Sequence, residues 1–200
     1  MMKIVLIGAT GMIGKAVAQE LHDHDVISVG YNNGDYQVDI EDIASIEALF
    51  ASIGQVDAVI STTGLIAFAP ITELSQAQIV MTVNNKLIGH IALFQVAQKY
   101  ICKGGSFTMT SGYLAQHPMV GSSVISVVNA GLDSFAKAAA LEFGNALRTN
   151  TVSPHFVKET MELMGMDSTD GVSAADTAKA YRVAIETNVS GAALDTKDYI

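Results

Sequence analysis

Three glycines spaced by two residues, Gly8, Gly11 and Gly14, are well suited to holding a phosphate group. They follow a short apolar run, Ile4–Ile7, and precede a segment, 12–21, with apolar residues at helical spacing. Glycines turn tightly and leave no Cβ against a bound group, and the helix adds free N–H groups and its positive dipole end. The pattern therefore predicts a phosphate site at a strand-to-helix turn. A turn without a ligand is the alternative, since the spacing differs from the G-x-G-x-x-G fingerprint.

Composition favours one α/β domain spanning 1–200 and argues against several classes of function. Half of the 200 residues are hydrophobic and 16% are charged, which fits a hydrophobic core that is stable without disulfides or bound metals. The formal net charge of −9 argues against a nucleic-acid partner or an anionic membrane. The N-terminal apolar run is too short for a signal peptide or membrane span. With a single cysteine, Cys102, we expect a cytoplasmic protein without disulfides, and we predict no metal site.

The elements that must position such a site alternate between strand and helix. The sequence predicts strands at 4–7, 26–31, 36–40, 56–61, 106–110, 149–153 and 192–199, and helices at 12–21, 42–53, 75–100, 121–145 and 173–187. This alternation indicates a doubly wound parallel sheet with helices on both faces. Ligands bind at the carboxyl ends of the strands in such sheets. The loops that we expect to meet there are 8–14, 31–33, 61–65, 111–113 and 154–160.

Over nearly its whole length the chain resembles the short-chain dehydrogenases/reductases. The segments that carry the resemblance are Gly8–Gly14, Val38-Asp39-Ile40, Ser61–Gly64, Gly104–Ser111 and Asn150–Pro154. The order and spacing of these segments match the family, although the GATGMIG form of the loop is commoner in its atypical branches. The resemblance implies a Rossmann-type fold and a bound NAD(H) or NADP(H).

The same resemblance implies cofactor contacts from a defined set of residues. They are Gly8, Thr10, Gly11, Met12, Ile13, Gly14, Tyr31, Asn32, Asp39, Ile40, Thr62, Thr63, Gly64, Lys86, Asn129, Pro154, Val157 and Thr160. Asp39 matches the aspartate that meets the adenine ring. The second strand ends in Tyr31-Asn32-Asn33, with neither an acid for the ribose 2′-hydroxyl nor an Arg or Lys for a 2′-phosphate. Related sequences with Arg at the Tyr31 position take NADP, which slightly favours NADP(H) over NAD(H).

The catalytic residues of the family are missing. The family uses a Tyr as proton donor, a Lys four residues later, a Ser and an Asn. Ungapped matching places these four positions at Ile125, Asn129, Gly112 and Lys86, respectively. Isoleucine cannot transfer a proton, so the usual mechanism cannot operate. Asn129 is then either structural or a ribose contact, because a buried amide requires hydrogen-bond partners.

Other side chains near this edge can replace them. We predict catalytic roles for Tyr113 as the phenol, Lys86 as the positive charge and Ser111 as a hydrogen-bonding group. His117 and His155 lie on loops at the same edge and have a suitable intrinsic pKa for acid–base work. The alternatives are a Tyr113 that only covers the core, a solvated or ion-paired Lys86 and idle loop histidines.

Two further segments bear on assembly and substrate. The helix 121–141 is apolar or small nearly all round, while the sheet can cover only one side. This predicts a homodimer or homotetramer through the long helices, as the family often forms. Residues 159–171 stand where the family inserts a substrate lid, and Met161, Met164 and Met166 make this segment adaptable.

Two functional hypotheses follow. One is an NAD(P)-dependent oxidoreductase acting on a small carbonyl or alcohol with a non-standard site. The other is a non-catalytic NAD(P)(H)-binding sensor or regulatory protein. The nucleotide loop supports both. The missing catalytic residues favour the second, whereas the nicotinamide-side loop and the Met-rich segment favour the first.

Overall fold

Seven strands form one parallel sheet in the computed structural model, which describes residues 1–200. The strands are β1 (Lys3–Ile7), β2 (Asp25–Gly30), β3 (Tyr36–Gln37), β4 (Val56–Ser61), β5 (Ile101–Thr110), β6 (Leu147–Ser153) and β7 (Ala193–Asp195). Their order is β3-β2-β1-β4-β5-β6-β7, and every pairing is parallel. The order reverses beside β1, which pairs with both β2 and β4. The predicted parallel sheet is confirmed.

Helices cover both faces of the sheet. They are α1 (Met12–Glu20), α2 (Ile43–Ile53), α3 (Gln76–Thr82), α4 (Gly89–Ala97), α5 (Ser123–Phe143), α6 (Lys158–Leu163) and α7 (Ala174–Glu186). One core cluster buries α2, α4 and α5 against the sheet, and a second buries α1 and α7 against the opposite face. Asp42 caps α2 by accepting from Ala44 N, as its position before an apolar stripe predicts.

Four predicted elements differ from the structure, and one of them, the strand predicted at 106–110, begins earlier, at Ile101. The predicted continuous helix over 75–100 is interrupted by one π-helical segment, Val83–Ile88, between α3 and α4. The strand predicted at 36–40 pairs only over Tyr36–Gln37. The final strand predicted at 192–199 ends at Asp195, whose side chain accepts from Lys197 N and caps a 3-10 turn over Thr196–Tyr199. Local capping therefore overrides the apolar pattern at the end of the chain.

One helix is long and apolar enough, by length and composition alone, to cross a membrane. It comprises α5 with its closing turn, Ser123–Ala146. In the structure α5 packs on β6, and its Asp133 carboxylate accepts a hydrogen bond from Thr151 Oγ1 at 2.6 Å. The apolar composition thus accompanies burial against the sheet.

Candidate functional site

The carboxyl ends of β1, β2 and β4 enclose a cavity of about 470 Å³, which we call the outer cleft. It is lined by Ile7, Gly8, Thr10, Gly11, Gly30, Tyr31, Val38, Asp39, Ile40, Glu41, Thr62, Thr63, Gly64, Leu65 and Asn85. The volume lies within the roughly 300–1,000 Å³ of small-molecule sites. The outer cleft is therefore large enough for a substantial part of a dinucleotide, and it lies where the strand order reverses.

The glycine loop at this cleft has no room for larger side chains. Gly8 has a φ of +82°, and a Cβ there would lie 2.8 Å from Thr62 Oγ1. That hydroxyl donates to both Ile7 O and Gly8 O, which fixes the loop to the end of β4. Gly11 occupies the N-cap of α1 without a side-chain cap, so the first-turn N–H groups have no side-chain acceptor there. These features fit a bound pyrophosphate.

Not every predicted cofactor residue lines the outer cleft. Met12 is partly exposed on α1, and Asn32 is exposed beyond β2. Gly14 instead packs against the backbone of Gly8 and Ala9, where a Cβ would collide with Gly8 O. Because Gly14 has no side chain, α1 can pack close to the loop. Tyr31 is exposed at the rim of the cleft, where its ring is free to stack on a base.

A second cavity of about 200 Å³, the inner cavity, lies beyond the ends of β5 and β6. Its lining residues are Ile13, Ile66, Lys86, Thr110, Ser111, Gly112, Tyr113, Leu114, Ile125, Asn129, Pro154, His155, Phe156, Val157 and Thr160. All three predicted catalytic residues and six of the predicted cofactor residues therefore meet here. Consecutive residues of the π-helical segment link the two cavities, because Asn85 lines the outer cleft and Lys86 the inner cavity. Such π-bulges are frequent at functional sites.

Lys86 is a buried ammonium without a direct carboxylate partner. Its Nζ donates to Ser111 O at 3.0 Å, and its aliphatic stem packs beside Gly64. Burial lowers the pKa of Lys86 to about 8, and the nearby Asp133 charge partly opposes this shift. An ammonium has three donors, and only one is used here. The remaining donors fit an oxygen-rich ligand.

A neutral histidine holds the π-helical segment against β4. His90 Nδ1 donates to Lys86 O at 2.6 Å, so Nε2 is the acceptor and receives a hydrogen bond from Ser61 Oγ at 3.0 Å. Burial, followed by the Lys86 charge, lowers the pKa of His90 to about 4. His90 therefore stays uncharged near neutral pH and fixes the backbone that carries Lys86.

Asn129 occupies the space next to Gly112. A Cβ on Gly112 would lie only 2.7 Å from Asn129 Nδ2, so a side chain at position 112 would require this amide to shift. Asn129 Oδ1 is buried without a hydrogen-bond partner. An orphaned acceptor in the wall of the inner cavity fits a ligand hydroxyl or amide.

Tyr113 lies between two imidazole rings at the inner cavity. Its ring centroid is 4.3 Å from that of His117 and 4.0 Å from that of His155. His155 Nε2 is 2.9 Å from Asp195 Oδ1, so the carboxylate at the end of β7 orients this imidazole. No pattern in the sequence indicates Asp195, because the residue is distant in the chain from His155 and their contact depends on the strand order.

Ser111 is buried beside Lys86, but its hydroxyl is engaged. Ser111 Oγ donates to Val152 O at 3.3 Å, which leaves the oxygen free only to accept. Sequence reasoning did not assign Asn85 to the site. This side chain accepts from Leu65 N and donates to Glu41 Oε1, both at 2.7 Å, and so joins two walls of the outer cleft. Its position next to Lys86 was the available signal.

Comparison with known proteins agrees with this geometry. Residues 15–193 match the family described as Enoyl-(Acyl carrier protein) reductase. The chain is similar to the protein lin1944 from Listeria innocua, with 35% identity, a TM-score of 0.92 and coverage of 98% of this chain and 99% of that chain. It is also similar to a small-chain dehydrogenase in complex with NADPH, with 27% identity, a TM-score of 0.85 and coverage of 96% and 94%.

A curated relative is the uncharacterized oxidoreductase MexAM1_META1p0182 of Methylorubrum extorquens. It is 26% identical over 113 residues, which make up 56% of this chain and 46% of the relative. The match thus spans less than half the length of that protein.

Proposed function

The chain belongs to the short-chain dehydrogenase/reductase family of oxidoreductases, and we propose that it binds NADP(H) and reduces a small carbonyl compound, or oxidises the corresponding alcohol, with a non-standard site. The observation that carries the proposal is the buried Lys86 ammonium where the outer cleft adjoins the inner cavity. Lys86 supplies one positive charge, with two unused donors, in the cavity that Tyr113 also lines, and its stem packs beside Gly64 of the outer cleft. The preference for NADP(H) is supported by the NADPH complex of a similar dehydrogenase and by the lack of an acid at Tyr31-Asn32-Asn33.

In this proposal each part of the site has one task. The Gly8–Gly14 loop and the α1 N-terminus hold the pyrophosphate, Asp39, Ile40 and the Tyr31 ring meet the adenine, and Asn32 meets its ribose. Lys86 and Asn129 hold the nicotinamide ribose, and Pro154, Val157 and Thr160 border the nicotinamide. The bound nicotinamide supplies or accepts a hydride. The chain must then exchange a proton at the substrate oxygen, and we assign this exchange to Tyr113. Ser111 Oγ, whose proton is donated to Val152 O, can accept a hydrogen bond only from the hydroxyl of the alcohol form.

Thermal unfolding with NAD⁺, NADH, NADP⁺ and NADPH tests the binding step. A nucleotide at about a hundred times its dissociation constant should add about 2.7 kcal/mol to the free energy of unfolding. We expect the larger shift with NADP(H), followed by turnover on a panel of carbonyl compounds. Absence of any shift would contradict nucleotide binding. Binding without turnover on any carbonyl would instead favour the sensor hypothesis.

Replacing Tyr113 by phenylalanine should lower kcat by roughly a hundredfold or more, because a positioned general acid contributes about 10²- to 10⁴-fold. The ring and its contacts with His117 and His155 are retained, so NADPH affinity should not change. Tyr100→Phe is the matched control, since Tyr100 stacks on Phe50 away from both cavities. A Tyr113→Phe rate within a few-fold of wild type would remove the proposed role.

We also propose a homodimer or homotetramer in the cytoplasm, assembled through the long helices. Val127 and Leu141 are 62% and 86% exposed on α5, and Ile88 is 53% exposed where the π-helical segment meets α4. Val127→Glu should therefore yield a smaller species in light scattering, because a buried unpaired charge is costly at an interface. Ala51→Glu, on the exposed side of α2, is the control. Equal masses for wild type and Val127→Glu would exclude this face.

A further inference from the structure

The inner cavity is too small for more than the reacting end of a substrate. Its volume is about 200 Å³, below the roughly 300–1,000 Å³ of pockets that enclose drug-sized molecules. Its polar groups, including Lys86, Ser111 and Tyr113, fit a carbonyl or hydroxyl group. The remainder of a larger substrate would extend across the mouth of the cavity. The chemistry of that mouth therefore indicates the class of substrate.

Two walls of the mouth are apolar and exposed. Ile66 and Phe156 line the inner cavity, yet they remain 46% and 37% exposed. Thr160 on α6 also lines it, and Leu163 and Met164 follow three and four residues later, on the same side of the helix. Both of these side chains are largely exposed. The walls thus continue outward from the cavity as an apolar surface.

A third segment extends this surface. Ala69 N donates to Gly121 O at 3.2 Å, and the Phe68 ring lies where a Cβ on Gly121 would be 3.0 Å away. The exposed Val120 precedes Gly121, and Ile125 further along lines the inner cavity. We call Ile66, Phe68, Val120, Phe156, Leu163 and Met164 the apolar rim. Residues 64–72 and 118–126 contain no Asp, Glu, Lys or Arg. The other segment of the rim, 156–164, carries Lys158 and two glutamates, and the glutamates accept hydrogen bonds from Ala174 N and Ser168 Oγ.

From these observations we infer that the substrate carries an uncharged apolar tail, an alkyl chain or aryl group, which lies on the apolar rim while its carbonyl enters the inner cavity. The inference rests on the proposed function and specifies its substrate class. An exposed apolar surface continuous with a binding cavity marks a site for apolar ligand groups. The methionine on this rim lets it adapt to tails of different shape.

Calorimetric titration with unbranched primary alkanamides of four, six and eight carbons tests the inference, with and without saturating NADP⁺. These amides present a carbonyl but are poor hydride acceptors, so binding is measured apart from turnover. Each added methylene should lower Kd about three- to fourfold, since burying a CH₂ is worth about 0.8 kcal/mol. The heat-capacity change should become more negative with length. A Kd independent of length, or tighter binding of 6-aminohexanamide than of hexanamide, would overturn the inference.

Variants show whether the rim produces this dependence. Phe156→Ser combined with Leu163→Ser should reduce the gain per methylene to below twofold without changing NADPH affinity. Ile43→Ser, at an exposed apolar position on α2 outside both the rim and the proposed interface, should retain the full gain. If NADPH binds but tail length has no effect, the inference fails while the proposed function stands. If the rim variant changes the oligomeric mass and leaves the gain per methylene intact, a second copy of the chain covers the rim and the inference is wrong.

Discussion

Lys86→Met should lower NADPH affinity by roughly 10- to 100-fold, because hydrogen bonds from charged groups contribute about 1.5–3 kcal/mol. The free energy of unfolding of the unliganded protein should not fall, and near neutral pH it should rise. The ammonium is buried with one hydrogen bond, to Ser111 O, and burial lowers its pKa to about 8. A methionine of similar length removes the cost of burying that charge. A loss of binding together with retained stability is expected of a residue placed for a ligand.

The pH dependence provides a second readout for Lys86. Between about pH 8 and 10.5, the folded protein has lost a proton that the unfolded chain still binds, so stability rises with pH. A pKa shift from 10.5 to about 8 corresponds to about 3 kcal/mol of unfolding free energy. The wild-type free energy of unfolding should rise by about this amount across the pH range, and that of Lys86→Met should not. NADPH affinity should fall over the same transition in wild type only. Chemical denaturation and NADPH fluorescence titrations from pH 7 to 10.5 measure both.

The exposed Lys99→Met is the control for general effects of charge, and it should change neither quantity. If Lys86→Met binds NADPH as tightly as wild type, Lys86 does not contact the nucleotide. If it unfolds far more easily, the side chain is structural and the assignment is wrong.

The second large effect is expected for Gly11→Val, which should weaken dinucleotide binding roughly a hundredfold or more, or about 2.7 kcal/mol. The branched side chain would stand at the N-cap of α1, where the pyrophosphate is proposed to lie close to the backbone. The fold should lose little, because Gly11 has φ −76° and ψ 176°, an extended conformation open to any residue. Its Cβ would contact only Gly8 O, at 3.3 Å. Calorimetric titration with NADPH and thermal unfolding of the unliganded variant measure the two effects.

Gly104→Val is the control that distinguishes the general effect of replacing a glycine from the specific effect of altering the phosphate site. Gly104 has φ +83° and open space around it, so valine there should cost stability through backbone strain without changing affinity. Unchanged NADPH affinity in Gly11→Val would show that the loop is not the phosphate site.

The sheet could be predicted because its signals are local. Buried apolar runs such as Ile4–Ile7 mark the strands, and glycines and caps such as Asp42 mark where helices begin. The π-helical segment could not be predicted, since the hydrogen bond from Lys86 Nζ to Ser111 O joins residues that are distant in the chain. The 3-10 turn at Thr196 depends on the local Asp195 cap, which the apolar pattern does not show. The amino-acid composition of Val83–Ile88 does not distinguish this π-helical segment from an ordinary α-helix.

The sequence was enough to predict which loops form the candidate site. It was not enough to predict which side chains contact one another there. The match to the family indicates Lys86, and the loop after β5 indicates Ser111 and Tyr113; the structure brings all three to one cavity. Whether they act there remains a prediction. The Tyr113–His155–Asp195 arrangement could not be predicted, because it depends on where β7 lies in the sheet. The unpartnered oxygen of Asn129 could not be predicted either, because it depends on how α5 packs against the loop after β5.

The close approach of Asn129 to Gly112 also limits the routes by which this chain can change. A serine at position 112 would be strained at φ +156°, and with its Cβ 2.7 Å from the Asn129 amide nitrogen it would displace that amide. A lysine at position 129 would be longer than the asparagine and would bring a second ammonium into a cavity that already holds Lys86. Positions 112 and 129 are therefore coupled, because a side chain at position 112 requires Asn129 to move or to be replaced. A design that introduces a serine at position 112 should replace Asn129 in the same step.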